Sequence, residues 1–287
     1  MKAVFKHEVS SYFTGLSGYV FGAFLLLFTG IYVMIYNVNH MITNFEFVIT
    51  SISFVFLIIV PILTMKVIAE ERKQKTDQLL YSLPVGIPGV VIGKFLALLV
   101  ILLIPLGIIC IYPLWLKSYG DVYLLAAYNA IFAFFLLGMS LLAIGMFISS
   151  ICESQTVAAG ICFVVMLINY FIAALSSYVG VSAIGSVIGL AIFIVLLGLL
   201  IRYMTGSTLT AFTGGIVLEA ILVGIYVMKP EIFVGLLPRI MERLSLFERF
   251  YIFVDGVFDV SGVIYFLSVT VVFVFLTIQS LEKRRWS

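Results

Sequence analysis

The chain has 287 residues, of which 63% are hydrophobic and only 10% charged, and its formal net charge is +2. A soluble domain carries about 25% charged residues. So apolar a chain cannot hide its side chains in one aqueous core, which excludes an ordinary soluble domain and makes lipid part of the solvent.

In chain order, Lys2–Tyr12 alternate charge with Val4, Phe5, Val9 and Tyr12, the pattern of a helix lying among lipid headgroups. One face of such a helix is also free to meet a partner. The first apolar run, about 17–37, is long enough to span, and no A-x-A-like site follows it, so it reads as a retained helix. Further runs of about 20 apolar residues occupy 47–68, 90–116, 123–149, 155–177, 181–201, 208–228 and 260–281. None alternates with the period of two that a membrane β-barrel requires. The expected fold is therefore an all-α polytopic bundle in one membrane domain, 1–287. It has six core spans and an extra helical hairpin at 181–228, about eight spans in all. Merging that hairpin into a re-entrant element leaves six.

Lysine and arginine set the orientation. With the N-terminus in the cytoplasm, Lys2, Lys6, Lys66, Arg72, Lys73, Lys75, Lys94, Arg202, Lys283, Arg284 and Arg285 fall inside, against Lys117, Lys229, Arg239, Arg243 and Arg249 outside. Both termini are then cytoplasmic.

Two segments are neither spans nor tight turns: 66–94 inside and 229–259 outside. In the first, Glu70-Glu71-Arg72-Lys73-Gln74-Lys75-Thr76-Asp77-Gln78 is the longest polar stretch of the chain. Its residues form helices well, so a helix is expected to run out of the second span and stop near Leu83, ahead of Pro84. Pro88 suits the first turn of the third span. The stretch reads either as a solvated connection or as a short helix with a leucine edge offered to a soluble partner. The outer segment is amphipathic, and Ser245 with Glu248 has the form of a capping box. Helices lying on the membrane surface are the preferred reading, and a lid or the face for an auxiliary subunit is the other.

Chemistry-bearing motifs are few. The only Gly-Lys pair, Gly93-Lys94, is followed by Phe95 and has Pro88 where a P-loop needs glycine, so this chain is not expected to bind ATP. No catalytic constellation is evident. Cys110, Cys152 and Cys162 show no CxxC spacing, and His7 and His40 fall on opposite sides of the membrane, so no metal site is expected. Glu219 sits mid-way along the seventh run, where an acidic group costs several kcal/mol unless paired, wetted or protonated, and is a candidate intramembrane polar site. Asn169, deep in the fifth run, reads more readily as a helix–helix contact. Gly185 and Gly189 form a GxxxG, and Pro105 is placed to kink span three.

Ala69–Leu96, with Thr76, Leu80, Pro84, Gly93 and Lys94 in register, resembles the signature loop of type-2 ABC-transporter (ABC-2) permeases. Lys75 stands where that pattern has glycine and Gln78 where it has glutamate. Phe5-Lys6-His7-Glu8-Val9 is similar to the family's amphipathic elbow, here residues 1–16. Ser245–Val260 with the ending Leu281–Trp286 resembles the gliding-motility (GldF-like) and nitrous-oxide-reductase maturation (NosY-like) branch. The resemblance implies a permease subunit whose coupling loop, through Glu70, Glu71, Arg72, Thr76, Asp77, Gln78, Leu80 and Pro84, meets a separate ATPase that binds ATP and Mg²⁺. The elbow residues Phe5, Lys6 and Glu8 would share in that contact. It also implies a second permease copy, identical or related, an auxiliary membrane subunit, the cytoplasmic membrane of a prokaryote, and no nucleic-acid partner. The rival reading is a secondary carrier driven by an ion gradient.

Overall fold

A computed structural model of the protein describes residues 1–73, 86–205 and 208–286. Among the described residues all regular structure is helical. The chain divides into two compact units, residues 1–167 with 249–285, and residues 168–248.

The first unit opens with α1 (Lys2–Thr14) and α2 (Ser17–Val33), which tightens into a π-helical turn over Met34–Asn39. The return span is α3 (Glu46–Ile52) and α4 (Phe56–Thr64), joined by a 3₁₀ turn at Ser53–Val55. Then come α5 (Ala69–Lys73), α6 (Ile87–Ile109), α7 (Ile111–Lys117), α8 (Leu124–Ile151) and α9 (Gln155–Ser176), which crosses into the second unit. The second unit adds α10 (Ala183–Thr205), α11 (Thr208–Met228) and α12 (Leu236–Leu244). The chain re-enters the first unit within α13 (Leu246–Val254) and ends with α14 (Val260–Trp286).

Seven helical runs are long and apolar enough to cross a membrane, and an eighth follows if Phe212–Met228 is joined to Pro230–Leu244, which leaves it at 113°. The seven coincide with seven of the eight expected runs to within a few residues, and the remaining expected run, 208–228, is the helix α11. The protein is a polytopic helix bundle, as its composition requires.

Helix α8 forms the centre of the first unit. Of its apolar window 89% is buried, against 6% for Ala183–Arg202. Small residues make this possible. A Cβ at Gly145 would stand 2.5 Å from Thr64 Oγ1, and one at Gly138 would stand 2.8 Å from Leu102 Cδ2 and 2.9 Å from the Phe56 ring. Close approach through small residues replaces the hydrophobic drive that lipid cannot supply. Ser140 Oγ adds polar contacts, 3.0 Å from the Phe266 carbonyl and 3.3 Å from Thr270 Oγ1.

Some local expectations change. The second span does not continue unbroken into the polar stretch: α4 stops at Thr64 and α5 starts afresh at Ala69, because the Ile68 and Ala69 amides are capped by Ser149 Oγ of α8. Pro88 does occupy the first turn of α6, while Pro105 is carried inside it and the span breaks at Cys110 instead. Ser245 Oγ accepts from the Glu248 amide at 3.1 Å, starting α13 as a capping serine does. Yet α13 is no surface helix along its apolar side: Phe247, Phe250 and Phe253 are buried, and the Phe253 carbonyl accepts from Asn129 Nδ2 at 2.9 Å.

Replacing Gly145 by alanine drives a methyl group into Thr64 and is expected to cost about 1–3 kcal/mol. Gly160→Ala, at a position with nothing within 4 Å, is the neutral control. Thermal unfolding of both variants in detergent measures the difference.

Candidate functional site

Three of the sequence-derived candidates, Glu8, Glu71 and Arg72, meet at one end of the first unit, the two carboxylates around a residue that was not among the candidates. Lys94 lies in the second turn of α6, inside an apolar span, with 2% of its side chain exposed. Its ammonium has three protons, and each meets an acceptor. Glu8 Oε1 of α1 is 2.7 Å away, Glu71 Oε1 of α5 2.6 Å, and the Val67 carbonyl 3.0 Å. One cation on α6 thus holds two segments distant from it in sequence, α1 and the start of α5.

Local geometry sets this up. Gly93 precedes Lys94, and a Cβ there would come within 3.3 Å of the Met1 carbonyl and 3.4 Å of the Phe5 amide and Val4 Cβ. The absent side chain lets the backbone of α1 lie directly on α6, which brings Glu8 to Lys94. One turn on, Tyr12 faces the same way and is buried with Glu8. Burial pushes the Tyr12 phenol well above its ordinary value of 10.0, and the carboxylates of Glu8, Glu71 and Glu70 push it further in the same direction. Gly18 completes the corner: a Cβ would stand 2.9 Å from the Tyr12 carbonyl, so the turn from α1 into α2 is tight.

A second junction holds α5 from the other side. Arg72 donates from Nη1 to the Cys152 carbonyl at 2.6 Å and from Nη2 to the Ser150 carbonyl. Those carbonyls stand at the C-terminal end of α8, where helix carbonyls lack partners and the dipole favours a cation. Ser149 Oγ of α8 in return accepts from the Ala69 amide at 3.1 Å and the Ile68 amide at 3.3 Å. Each helix caps the other. Ser280 Oγ of α14 also reaches the Ser150 carbonyl, at 3.4 Å.

The sequence candidates are placed as follows. Glu8 and Glu71 come together at Lys94, and Arg72 points inward to α8. Glu70 is half-buried next to them, Phe5 is half-buried and Lys6 is exposed. Thr76, Asp77, Gln78, Leu80 and Pro84 lie outside the described residues. Asn169 and Glu219 stand in the second unit with different neighbours. Asn169 Oδ1 accepts from the Leu246 amide at 3.1 Å and Nδ2 donates to the Leu244 carbonyl at 3.2 Å, so it stitches the junction of α12 and α13, a helix contact. Gly189 of the GxxxG packs against Leu237. Glu219 lines a cleft between α10 and α11.

Lys94 had a signal in the sequence: a lysine inside an apolar span is costly unless it is paired. Its partners had none, because they come from other segments.

Residues 12–180, more than half of the chain, match the family model described as ABC-2 family transporter protein. No curated protein matches the chain. Tyr12, Glu71, Arg72, Lys94 and Ser149 fall inside the matched region, Glu8 just before it and Glu219 beyond it.

Lys94→Met strands two carboxylates and is expected to destabilise the protein by about 3–5 kcal/mol, with partial recovery when Glu8→Gln is added. Denaturation of the purified variants checks both. Tyr12 gives a pH signature. Above about pH 10 the unfolded chain loses its phenolic proton while the folded chain keeps it, so stability falls as pH rises towards the folded value. Melting temperatures measured from pH 8 to 11 should therefore fall more steeply for the native protein than for Tyr12→Phe.

Proposed function

The chain belongs to the ABC-2 family of transporter proteins, and from that membership we propose that it is the membrane-spanning subunit of an ATP-driven transporter. In this reading it has no catalytic site of its own. A separate ATPase binds ATP and Mg²⁺ and docks against residues 66–94 and the exposed face of α1. Both termini face the cytoplasm, and the membrane is the cytoplasmic membrane of a prokaryote. Two copies, identical or related, form the translocation unit, with an auxiliary membrane subunit beside them. Placement in the gliding-motility or nitrous-oxide-reductase maturation branch belongs to the same proposal and rests on the pattern at Ser245–Val260.

The observation that carries the reading is the double hold on α5. The polar stretch starts from a fixed base. Glu71 ties its base to Lys94 and, through it, to Glu8. Arg72 and Ser149 tie it to α8. A push on this stretch therefore acts on α1, α6 and α8 together, as the conversion of an ATPase movement into a movement of spans requires. Phe5 and Lys6, on the same helix as Glu8, give the partner a second contact. Thr76, Asp77, Gln78, Leu80 and Pro84 provide the docking surface itself.

The test is copurification of a P-loop ATPase encoded beside this chain, with crosslinking from Asp77→Cys to that partner. Arg72→Ala is expected to leave the amount of bound ATPase unchanged while lowering the permease-dependent part of its activity about tenfold, a typical loss of coupling free energy. A purified chain that carries no ATPase, and moves solute in vesicles on an ion gradient alone, would replace this reading with a secondary carrier.

A further inference from the structure

The cleft between α10 and α11 plays no part in the Lys94 junction and lies beyond the residues matched to the family model. Its volume is about 630 Å³, well within the range of small-molecule sites. Val195 and Leu199 of α10 and Phe212 and Ile216 of α11 form apolar walls. Two ionisable side chains interrupt them. Arg202 stands in the last turn of α10, near the end where the two helices meet, and Glu219 lies farther along α11.

Their depths differ. Arg202 is about one turn from the hairpin end and Glu219 about three, which separates them by roughly 11 Å along the helix axes. Between these levels the cleft is open: a Cβ added at Gly215 meets nothing within 4 Å. Among the described residues no ion pair joins Arg202 to Glu219. A cation and a carboxylate thus stand at the two ends of a hydrocarbon-walled groove. Glu219, mid-way along an apolar helix, costs several kcal/mol there until it is paired, wetted or protonated, whereas Arg202 is exposed at the helix end.

We propose that this cleft binds an elongated zwitterion, with its ammonium on Glu219, its acid group on Arg202 and hydrocarbon between them. Each feature of the ligand answers one feature of the groove. The guanidinium fork takes a carboxylate or phosphate with two parallel bonds. The carboxylate takes a charged N–H donor. The walls take methylene groups, and the room at Gly215 takes the middle of the chain. A simple anion leaves Glu219 unanswered, a simple amine leaves Arg202, and a hydrocarbon leaves both.

The test uses the whole chain in lipid nanodiscs and calorimetric titration with 8-aminooctanoate, octanoate and octylamine, against empty nanodiscs. 8-Aminooctanoate is expected to bind at least tenfold more tightly than either singly charged probe. Arg202→Gln should reduce it to the level of octylamine, and Glu219→Gln to that of octanoate. Gly215→Leu, which fills the open level and keeps both charges, should abolish binding. Equal affinity for the three probes, or unchanged affinity in the two charge variants, overturns the proposal. So does a purely structural pair: loss of thermal stability in each single variant, its recovery in the exchanged pair Arg202→Glu with Glu219→Arg, and no probe bound. None of these readouts needs an ATPase, so the outcome is independent of the proposed transporter role.

Discussion

One ammonium group governs the architecture at the α1 end of the first unit. A lysine two turns inside an apolar helix is tolerable only if every proton on it finds an acceptor. Lys94 meets that condition with Glu8, Glu71 and the Val67 carbonyl, all within 3.0 Å. The condition is stringent because the acceptors come from two other segments, α1 and the turn that leads into α5. If either carboxylate moves, a charge is left uncompensated in a poorly solvated place, where the penalty reaches several kcal/mol. The node therefore behaves as a unit. It holds α1 against α6 and fixes where α5 begins.

The other hold on α5 has a different physical origin. The first turn of a helix is costly to nucleate in water, because it fixes several residues for one hydrogen bond. Helix α8 supplies what the start of α5 lacks: Ser149 meets its first amides, and Arg72 uses the open carbonyls of α8 in exchange. This exchange depends on α8 being held still, which its glycines ensure by letting Thr64, Leu102 and Phe56 close on it. Packing at the centre of the bundle and polar contacts at its end thus support the same short helix.

Much of this was legible beforehand. The spans follow from hydropathy and length, since lipid leaves the backbone only helices or closed barrels and no run alternates as a barrel strand does, and Pro88 and Ser245 announce helix starts through local chemistry alone. What stayed hidden is what depends on distant partners. Lys94 was visible as part of a motif, but its bonds to Glu8 and Glu71 join positions 86 and 23 residues apart. Arg72 reads as one charge among many in a polar run until the end of α8 appears beside it. Asn169 was visible as a helix contact, although not as the group that joins α12 to α13. The apolar stripe of α13 failed in a more basic way. An amphipathic helix looks the same in sequence whether its greasy side meets lipid or protein, and Phe250 and Phe253 meet protein.

The tight seat that Gly93 provides for α1 also bears on biosynthesis. Helix α1 leaves the ribosome before α6, and the cation that Glu8 needs follows 86 residues later. At about 5–20 residues per second, Glu8 and Tyr12 wait roughly 4–17 s before their place exists. During that interval Glu8 and Tyr12 stay exposed. The emergence of α6 ends that exposure, so quality control of the nascent chain has a defined moment at which to act.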